Sequence, residues 1–127
     1  MKFLRKVLLS LAIASSMGAI ATPVMAADPG RISYEPSEAI KLTSEKIQAA
    51  IDAVAAGSSA DEVAALVKDA LDMSKEINAN DKVDVARARA NRPLKKARSA
   101  ARKGSLDGVE EALQNALKQY SELPGLI

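Results

Sequence analysis

The sequence of 127 residues contains no cysteine, no histidine and no tryptophan. Without the first two, the chain has no thiol nucleophile, imidazole base, Cys/His zinc site, iron–sulfur cluster or His-ligated haem. Met73 is the only methionine after residue 25, which excludes a methionine-rich copper site. Ser58, Ser59 and Ser105 have no base beside them and are better explained as helix caps than as nucleophiles. These absences predict a non-enzymatic protein.

Residues 1–26 have the pattern of a secretory signal peptide. The bases Lys2, Arg5 and Lys6 precede an apolar run that extends to about Ile20, and small residues precede a cleavage site after Ala26. The run is nearly long enough for an uncleaved membrane anchor, but its serine, glycine and proline interruptions favour cleavage. We therefore expect export to the periplasm, with no integral membrane segment in the mature protein.

Cleavage would change both the length and the charge of the chain. Removing 26 of 127 residues leaves 101, which suits one small domain, and removing three of 18 bases leaves 15 against 16 acids. We expect a flexible leader at 27–35, a helical domain at 36–123 and a short tail at 124–127. Tyr34 and Tyr120 would be its only aromatics, so the core must consist of Ala, Val, Ile and Leu on closely packed helices.

Apolar residues recur at helical spacing in four segments. The first helix is predicted from about Pro36 to Ala56, and the second ends near Asn78–Asn80, where an Asn can adopt the left-handed conformation. Asp81 is predicted to cap the third helix. Pro93 lies inside that helix, which either kinks there or splits in two; the apolar stripe stays in phase across the proline and favours a kink.

A Gly-Ser turn occurs twice, at Gly57–Ser59 and at Gly104–Ser105. In each copy an apolar helical pattern ends at the glycine, which predicts a helix stop followed by a new helix. Ser59 and Ser105 are predicted to be N-caps. The repetition indicates two helical hairpins, related by duplication or by the chance likeness of Ala-rich helices. Short connections then predict an all-α, up-down-up-down four-helix bundle.

Carboxylates recur every seventh residue on the first two helices. Such acidic rows could bind a divalent metal ion, because carboxylate oxygens are the ligands of hard cations. The alternative is a solvated face with local pairs, such as Lys41 with Glu45 and Lys68 with Asp72. The Glu-x-x-His motif of di-metal bundles is absent. The candidate metal ligands are Glu38, Glu45, Asp52, Glu62, Asp69 and Glu76.

The third helix is strongly basic, with nine bases and one acid between residues 82 and 103. This charge could dock an acidic protein or an anionic envelope surface. Acidic neighbouring helices could instead neutralise it. The lack of interleaved aromatics, together with export, argues against nucleic acid. The candidate partner-binding residues are Arg89, Arg92, Lys95, Lys96, Arg98, Arg102 and Lys103.

Several short segments resemble the small metal-binding protein family of exported four-helix bundles. They are Glu38–Lys41, Ala55–Gly57, Lys68–Leu71, Leu94–Ala97, Lys103–Gly104 and Glu111–Leu113. The resemblance implies binding of copper and other divalent ions through many histidines alongside acidic groups. This chain has no histidine, so only the six acidic positions carry over. The soluble haem-binding cytochrome bundles are similar in shape, but their axial histidine is also missing.

These observations lead to three expectations. The first is an exported, non-enzymatic bundle that binds or buffers divalent metal through its acidic helix flanks. The alternatives are an accessory protein that docks a partner or polyanion on the basic third helix, and a structural bundle with no specific ligand. Dimerisation through an Ala-rich face stays open in each case.

Overall fold

The structure is a computed structural model that describes residues 33–127. Four α-helices account for most of this part: α1 (Pro36–Ala55), α2 (Ala60–Ser74), α3 (Asp81–Arg102) and α4 (Val109–Glu122). A short 3₁₀ helix, Leu123–Leu126, follows α4. No β-strand occurs in residues 33–127, so the prediction of an all-α four-helix fold is confirmed.

The four helices form a ring in which each contacts its two neighbours. α1 packs on α2, α2 on α3, α3 on α4, and α4 closes on α1, whereas the diagonal pairs have no Cα atoms within 8 Å of each other in residues 33–127. The Asn80 side chain, just before α3, donates to the Leu126 carbonyl after α4 at 3.0 Å. This bond brings the start of α3 to the end of α4, as an antiparallel pair requires. Short connections give the other consecutive pairs the same relation.

The core consists of the apolar stripes that the sequence predicts. Ile47 of α1, Val67 of α2 and Leu94 of α3 are fully buried, and small alanines such as Ala50 and Ala90 lie between them. Small side chains let the helix axes approach closely enough to bury a core of this modest volume.

One aromatic side chain belongs to the same core. Tyr120 of α4 is fully buried and is among the largest side chains there. Tyr34, just before α1, packs against the core from its edge.

Both Gly-Ser turns end their helices in the same way. Gly57 and Gly104 have φ of 78° and 87°, the left-handed region that glycine adopts without strain. In the first turn the Ser58 N–H donates to the Ala53 carbonyl at 2.9 Å, and the second turn repeats this bond at 3.0 Å. This pairing is the Schellman motif, which satisfies carbonyls left free at the end of a helix.

The two turns differ in how the next helix begins. The Ser59 hydroxyl accepts the Glu62 N–H at 3.2 Å, so Ser59 is the predicted N-cap of α2. The prediction that Ser105 caps α4 is wrong, because α4 starts four residues later with Gly108 at its N-cap, in the left-handed region at φ 73°. The Ser105 hydroxyl instead accepts the Asp107 N–H at 3.4 Å, within the loop.

Two further boundaries differ from the predictions. Asn80, not Asp81, caps α3, and its side chain accepts the Val83 N–H at 2.9 Å. α2 ends at Ser74, and in residues 33–127 no residue other than glycine has a positive φ, so no asparagine closes the helix in that way. Ile77 lies beyond the helix but remains fully buried, because the chain continues through tight turns that keep it against the core.

Pro93 lies inside α3, and the helix continues through it to Arg102 without splitting. Pro93 is itself buried on the apolar side. A proline has no N–H to give the carbonyl four residues earlier, so α3 lacks one internal bond at this point. Burial of the stripe on both sides of the proline holds the helix together.

The predicted signal peptide at 1–26 lies outside the described residues, as does the leader up to residue 32. The predicted tail forms the 3₁₀ helix, and Leu126 packs against the core. None of the helices in residues 33–127 combines the length and the apolar character needed to cross a bilayer.

Candidate functional site

The six predicted metal ligands lie on the surface of α1 and α2. All are exposed except Glu76, which is half-buried just after α2. Asp52 accepts a hydrogen bond from the Gln48 side chain at 2.9 Å, one turn earlier on its own helix. Of the two local pairs expected for a solvated face, Lys68 with Asp72 forms at 2.7 Å; Lys41 with Glu45 is not among the ion pairs of residues 33–127.

The bundle does not bring these carboxylates together. Within residues 33–127 no three acidic side chains approach closely enough to hold one metal ion. These carboxylates are exposed and lie on separate helical turns. At each of them, water competes with a single carboxylate for the cation. The divalent-ion hypothesis therefore stays a prediction, with no assembled ligand set in the described residues to support it.

A basic groove runs between α2 and α3, and we call it the α2–α3 cleft. Its two adjoining parts have volumes of about 820 and 400 Å³ and share Leu71, Lys95 and Arg98. The charged groups along it are seven bases and one carboxylate. They are Lys68, Asp72, Lys75, Arg87, Lys95, Arg98, Arg102 and Lys103.

Helical periodicity explains how α3 supplies one side of this cleft. Arg87, Asn91, Lys95, Arg98 and Arg102 are separated by four, four, three and four residues, so they lie along one side of the helix. The buried stripe of α3 follows the same period on an adjacent side. The residues that face α2 are thus specified by the same pattern that specifies the core.

The single carboxylate of the cleft is already neutralised within α2 and the residue after it. Asp72 accepts from Lys68 at 2.7 Å and lies 3.6 Å from the Lys75 ammonium. Its hydrogen bond with Lys68 and the charges of both lysines outweigh desolvation and lower the pKa of Asp72. Little negative charge is left over for α3.

The bases of α3 are not neutralised by the neighbouring helices. Arg87 pairs with Asp84 of its own helix at 3.5 Å, and no other base of α3 forms an ion pair within residues 33–127. The alternative expectation from the sequence is that acidic neighbouring helices neutralise this charge. In the bundle no carboxylate of a neighbouring helix lies within 4.0 Å of the bases that α3 contributes to the cleft, so the cleft keeps an excess of positive charge.

A chain of hydrogen bonds connects three helices at the cleft floor. The Ser74 hydroxyl donates to the Leu71 carbonyl at 2.6 Å, so its oxygen accepts from the Asn91 amide nitrogen at 3.0 Å. The Asn91 oxygen then accepts from the Tyr120 hydroxyl. Because the Ser74 proton is used in the bond to the Leu71 carbonyl, the donor and the acceptor of each bond in this series are determined.

Burial sets the properties of this chain. It raises the pKa of the Tyr120 hydroxyl from 10.0 to about 12, so the group remains a neutral donor well into the alkaline range. Arg87 adds a link from α3 to the turn after α2, donating to the Ile77 carbonyl at 2.6 Å. The floor of the cleft is thus held by three neutral, paired groups and by Arg87.

The structure divides the predicted partner-binding residues between two surfaces. Lys95, Arg98, Arg102 and Lys103 line the α2–α3 cleft, whereas Lys96 lines a separate groove between α3 and α4. Arg89 and Arg92 are exposed and line neither groove.

Sequence reasoning missed several members of the site. They are Lys68, Asp72, Ser74, Lys75, Arg87 and Asn91 in the cleft, and Tyr120 below it. Asn91 could have been noticed as an amide beside the apolar stripe of a helix otherwise rich in alanine and bases. The two lysines carry no such signal, because only the packing of α2 on α3 brings them to the cleft.

Comparison with protein-family models, with curated proteins and with solved structures finds no match. The resemblance to the small metal-binding proteins therefore stays a prediction.

Proposed function

We propose that this chain is an exported, non-enzymatic accessory protein of the periplasm, whose α2–α3 cleft binds an anionic ligand or an anionic segment of a partner. One observation carries the proposal: the bases of α3 that line the cleft have no carboxylate partner across it. An unneutralised cluster of like charges costs folding energy through self-repulsion, and a bound anion would relieve that cost.

The floor of the cleft supports a binding role over a catalytic one. Ser74, Asn91 and Tyr120 hydrogen-bond to one another, so none of them is available as a nucleophile with a base beside it. Among the cleft bases, Arg87 is held by its bond to the Ile77 carbonyl at 2.6 Å, which reduces the ordering cost of that side chain on binding.

Calorimetric titration with two anions, tripolyphosphate and a tetraglutamate peptide, tests this proposal. We expect saturable binding of at least one of them, weakened by rising salt because the attraction is electrostatic. The double variant Lys95→Glu/Arg98→Glu should lower the affinity at least tenfold.

The control for that variant is Lys41→Glu/Lys118→Glu, which changes the net charge equally on α1 and α4. Both of its lysines are exposed and neither lines the cleft. Failure of the wild-type protein to bind either anion would contradict the proposal, as would an equal loss of affinity in the two double variants.

A further inference from the structure

The solvent-facing side of α3 carries a second basic surface, which shares only Lys103 with the α2–α3 cleft. Lys82, Arg89, Lys96 and Lys103 follow one another at intervals of seven residues, and all four are exposed. None of them forms an ion pair within residues 33–127. We call these four residues the outer row.

Two neighbours extend the outer row. Arg92 is exposed beside it, and Val85, 59% exposed, lies between the first two members at spacings of three and four. The two acids of α3 are confined to its first turn. Asp107 and Glu111 line the groove between α3 and α4 together with Lys96, but most of the length of this side of α3 itself presents positive charge and one apolar side chain.

The shape of this surface selects the kind of anion that it fits. At a rise of 1.5 Å per residue the outer row is about 32 Å long, with its charges about 10 Å apart. Lys96 and Lys103 each border a different groove, and the row follows the outside of one helix, so its four members cannot together enclose a small ligand. A planar array of anions can contact all of its members at once.

The opposite side of the bundle carries mixed charge with a small excess of acids. α1 has no Cα atom within 8 Å of α3 in the described part of the chain, and it presents an acidic row of exposed residues spaced by seven, with two lysines among them. The acids are Glu38, Glu45 and Asp52, and the lysines are Lys41 and Lys46. Such an arrangement orients the molecule near an anionic plane, because α3 is attracted while the acids of α1 are repelled.

A second copy of this chain could also occupy the outer row, through the acidic row of α1. Each exposed ion pair strengthens binding by about fivefold at most, so three pairs give about 10²-fold. A leaflet rich in anionic lipid strengthens binding by about fivefold for each base near it, so the outer row with Arg92 gives about 10³-fold. The membrane is therefore the favoured partner.

We propose that the outer row of α3 is a peripheral docking surface for a bilayer leaflet rich in anionic lipid. The proposal goes beyond the anion-binding cleft and rests mainly on different residues. Val85 would lie at the headgroup level, and the bundle would stay on the surface of the leaflet.

Co-sedimentation with vesicles of phosphatidylglycerol and phosphatidylcholine, in about 0.1 M salt, tests the inference. The bound fraction should rise with the phosphatidylglycerol content and be lost in about 1 M salt. The variant Arg89→Glu/Lys96→Glu should bind at least 25-fold more weakly, since each reversal removes an attraction and adds a repulsion. Circular dichroism would verify that this exposed double variant is folded.

Two comparison variants separate this inference from the cleft proposal. Lys41→Glu/Lys118→Glu should bind vesicles within about fivefold of the wild type. Lys95→Glu/Arg98→Glu should retain most vesicle binding while losing tripolyphosphate.

Three outcomes would overturn the inference. They are equal binding to purely phosphatidylcholine vesicles, an unchanged affinity of Arg89→Glu/Lys96→Glu, and salt-sensitive self-association that Glu45→Lys abolishes. The last outcome would assign the outer row to a second copy of the chain.

Discussion

α1 and α3 are helices of similar length on opposite sides of the bundle, and each buries one apolar stripe against the same core. Their solvent faces differ. α1 alternates acids with Lys41 and Lys46, whereas α3 presents eight bases after its first residue and confines its acids to the first turn. A single buried layer can therefore support two outer surfaces of very different charge.

The polar groups that the two helices place at their packed sides differ as well. Thr43 of α1 donates to the Ala39 carbonyl at 2.8 Å, so its hydroxyl is satisfied within its own helix. Asn91 of α3 bonds to both α2 and α4, through Ser74 and Tyr120. The polar group of α1 thus serves local structure, and that of α3 joins three helices beside the cleft.

The largest expected effect concerns what the two helices share. Ile47→Ala and Leu94→Ala each remove a fully buried side chain, and each should lower the free energy of unfolding by about 2–5 kcal/mol. Chemical denaturation monitored by circular dichroism would measure both. If only one of them were destabilising, the two helices would not share one core.

The second prediction concerns the polar groups in which the helices differ. Tyr120→Phe leaves the Asn91 oxygen without its donor and should cost about 1–3 kcal/mol. Thr43→Val should cost less than about 1 kcal/mol, since it removes only a bond within the helix. Equal costs for the two variants would show that the hydrogen bonds joining three helices stabilise the fold no more than a bond within one helix.

The pH dependence of stability sharpens this second prediction. The pKa of Tyr120 is raised from 10.0 to about 12, so its ionised form is disfavoured in the folded state. The stability that follows is fully present below pH 10 and is lost as the pH rises towards 12. Denaturation of the wild type and Tyr120→Phe at several alkaline pH values should show this extra loss only in the wild type.

The two Gly-Ser turns give a third and smaller comparison. Ser59→Ala removes the N-cap of α2 and should cost about 1 kcal/mol. Ser105→Ala should cost less than half of that, because its hydroxyl bonds only within the loop. Thermal unfolding of the two variants would measure the difference. A similar cost at both sites would mean that the turns are equivalent after all.

The smallest expected effect concerns divalent ions. Because the acidic rows form no cluster of three within residues 33–127, we expect Ca²⁺ or Cu²⁺ to raise the melting temperature slightly and without saturation below millimolar concentrations. Differential scanning calorimetry of the wild type and of Glu45→Ala/Asp69→Ala would show this. Tight, saturable binding that the double variant loses would restore the metal hypothesis.

The helix ends show which features a short sequence pattern can predict and which it cannot. Gly57 and Gly104 were identified from sequence because a glycine at the end of an apolar pattern has one favoured local structure. The start of α4 was not, because Ser105 and Gly108 can each begin a helix. Packing of Val109 and Leu106 against the core decides between them.

The candidate site also could be predicted only in part from short sequence patterns. The bases of α3 could be listed from sequence, but their neutralisation depends on where the carboxylates of α2 and α4 point. Lys68 and Lys75 hold Asp72 within their own segment, and no cross-helix pair with α3 forms in the described residues. Whether a base is neutralised depends on side-chain distances of a few ångströms, and these distances cannot be read from the composition of a helix.

The sequence alone determined the helical class, the apolar stripes, the glycine stops and the chemistry that missing cysteine and histidine exclude. These properties depend on residue type and on spacing along one helix, which are local quantities. Only the tertiary structure decided that α3 lies across the bundle from α1, that its bases line a cleft with α2, and that Asn91 joins Ser74 to Tyr120. Those relations depend on which helices become neighbours, and the packing of all four together sets them.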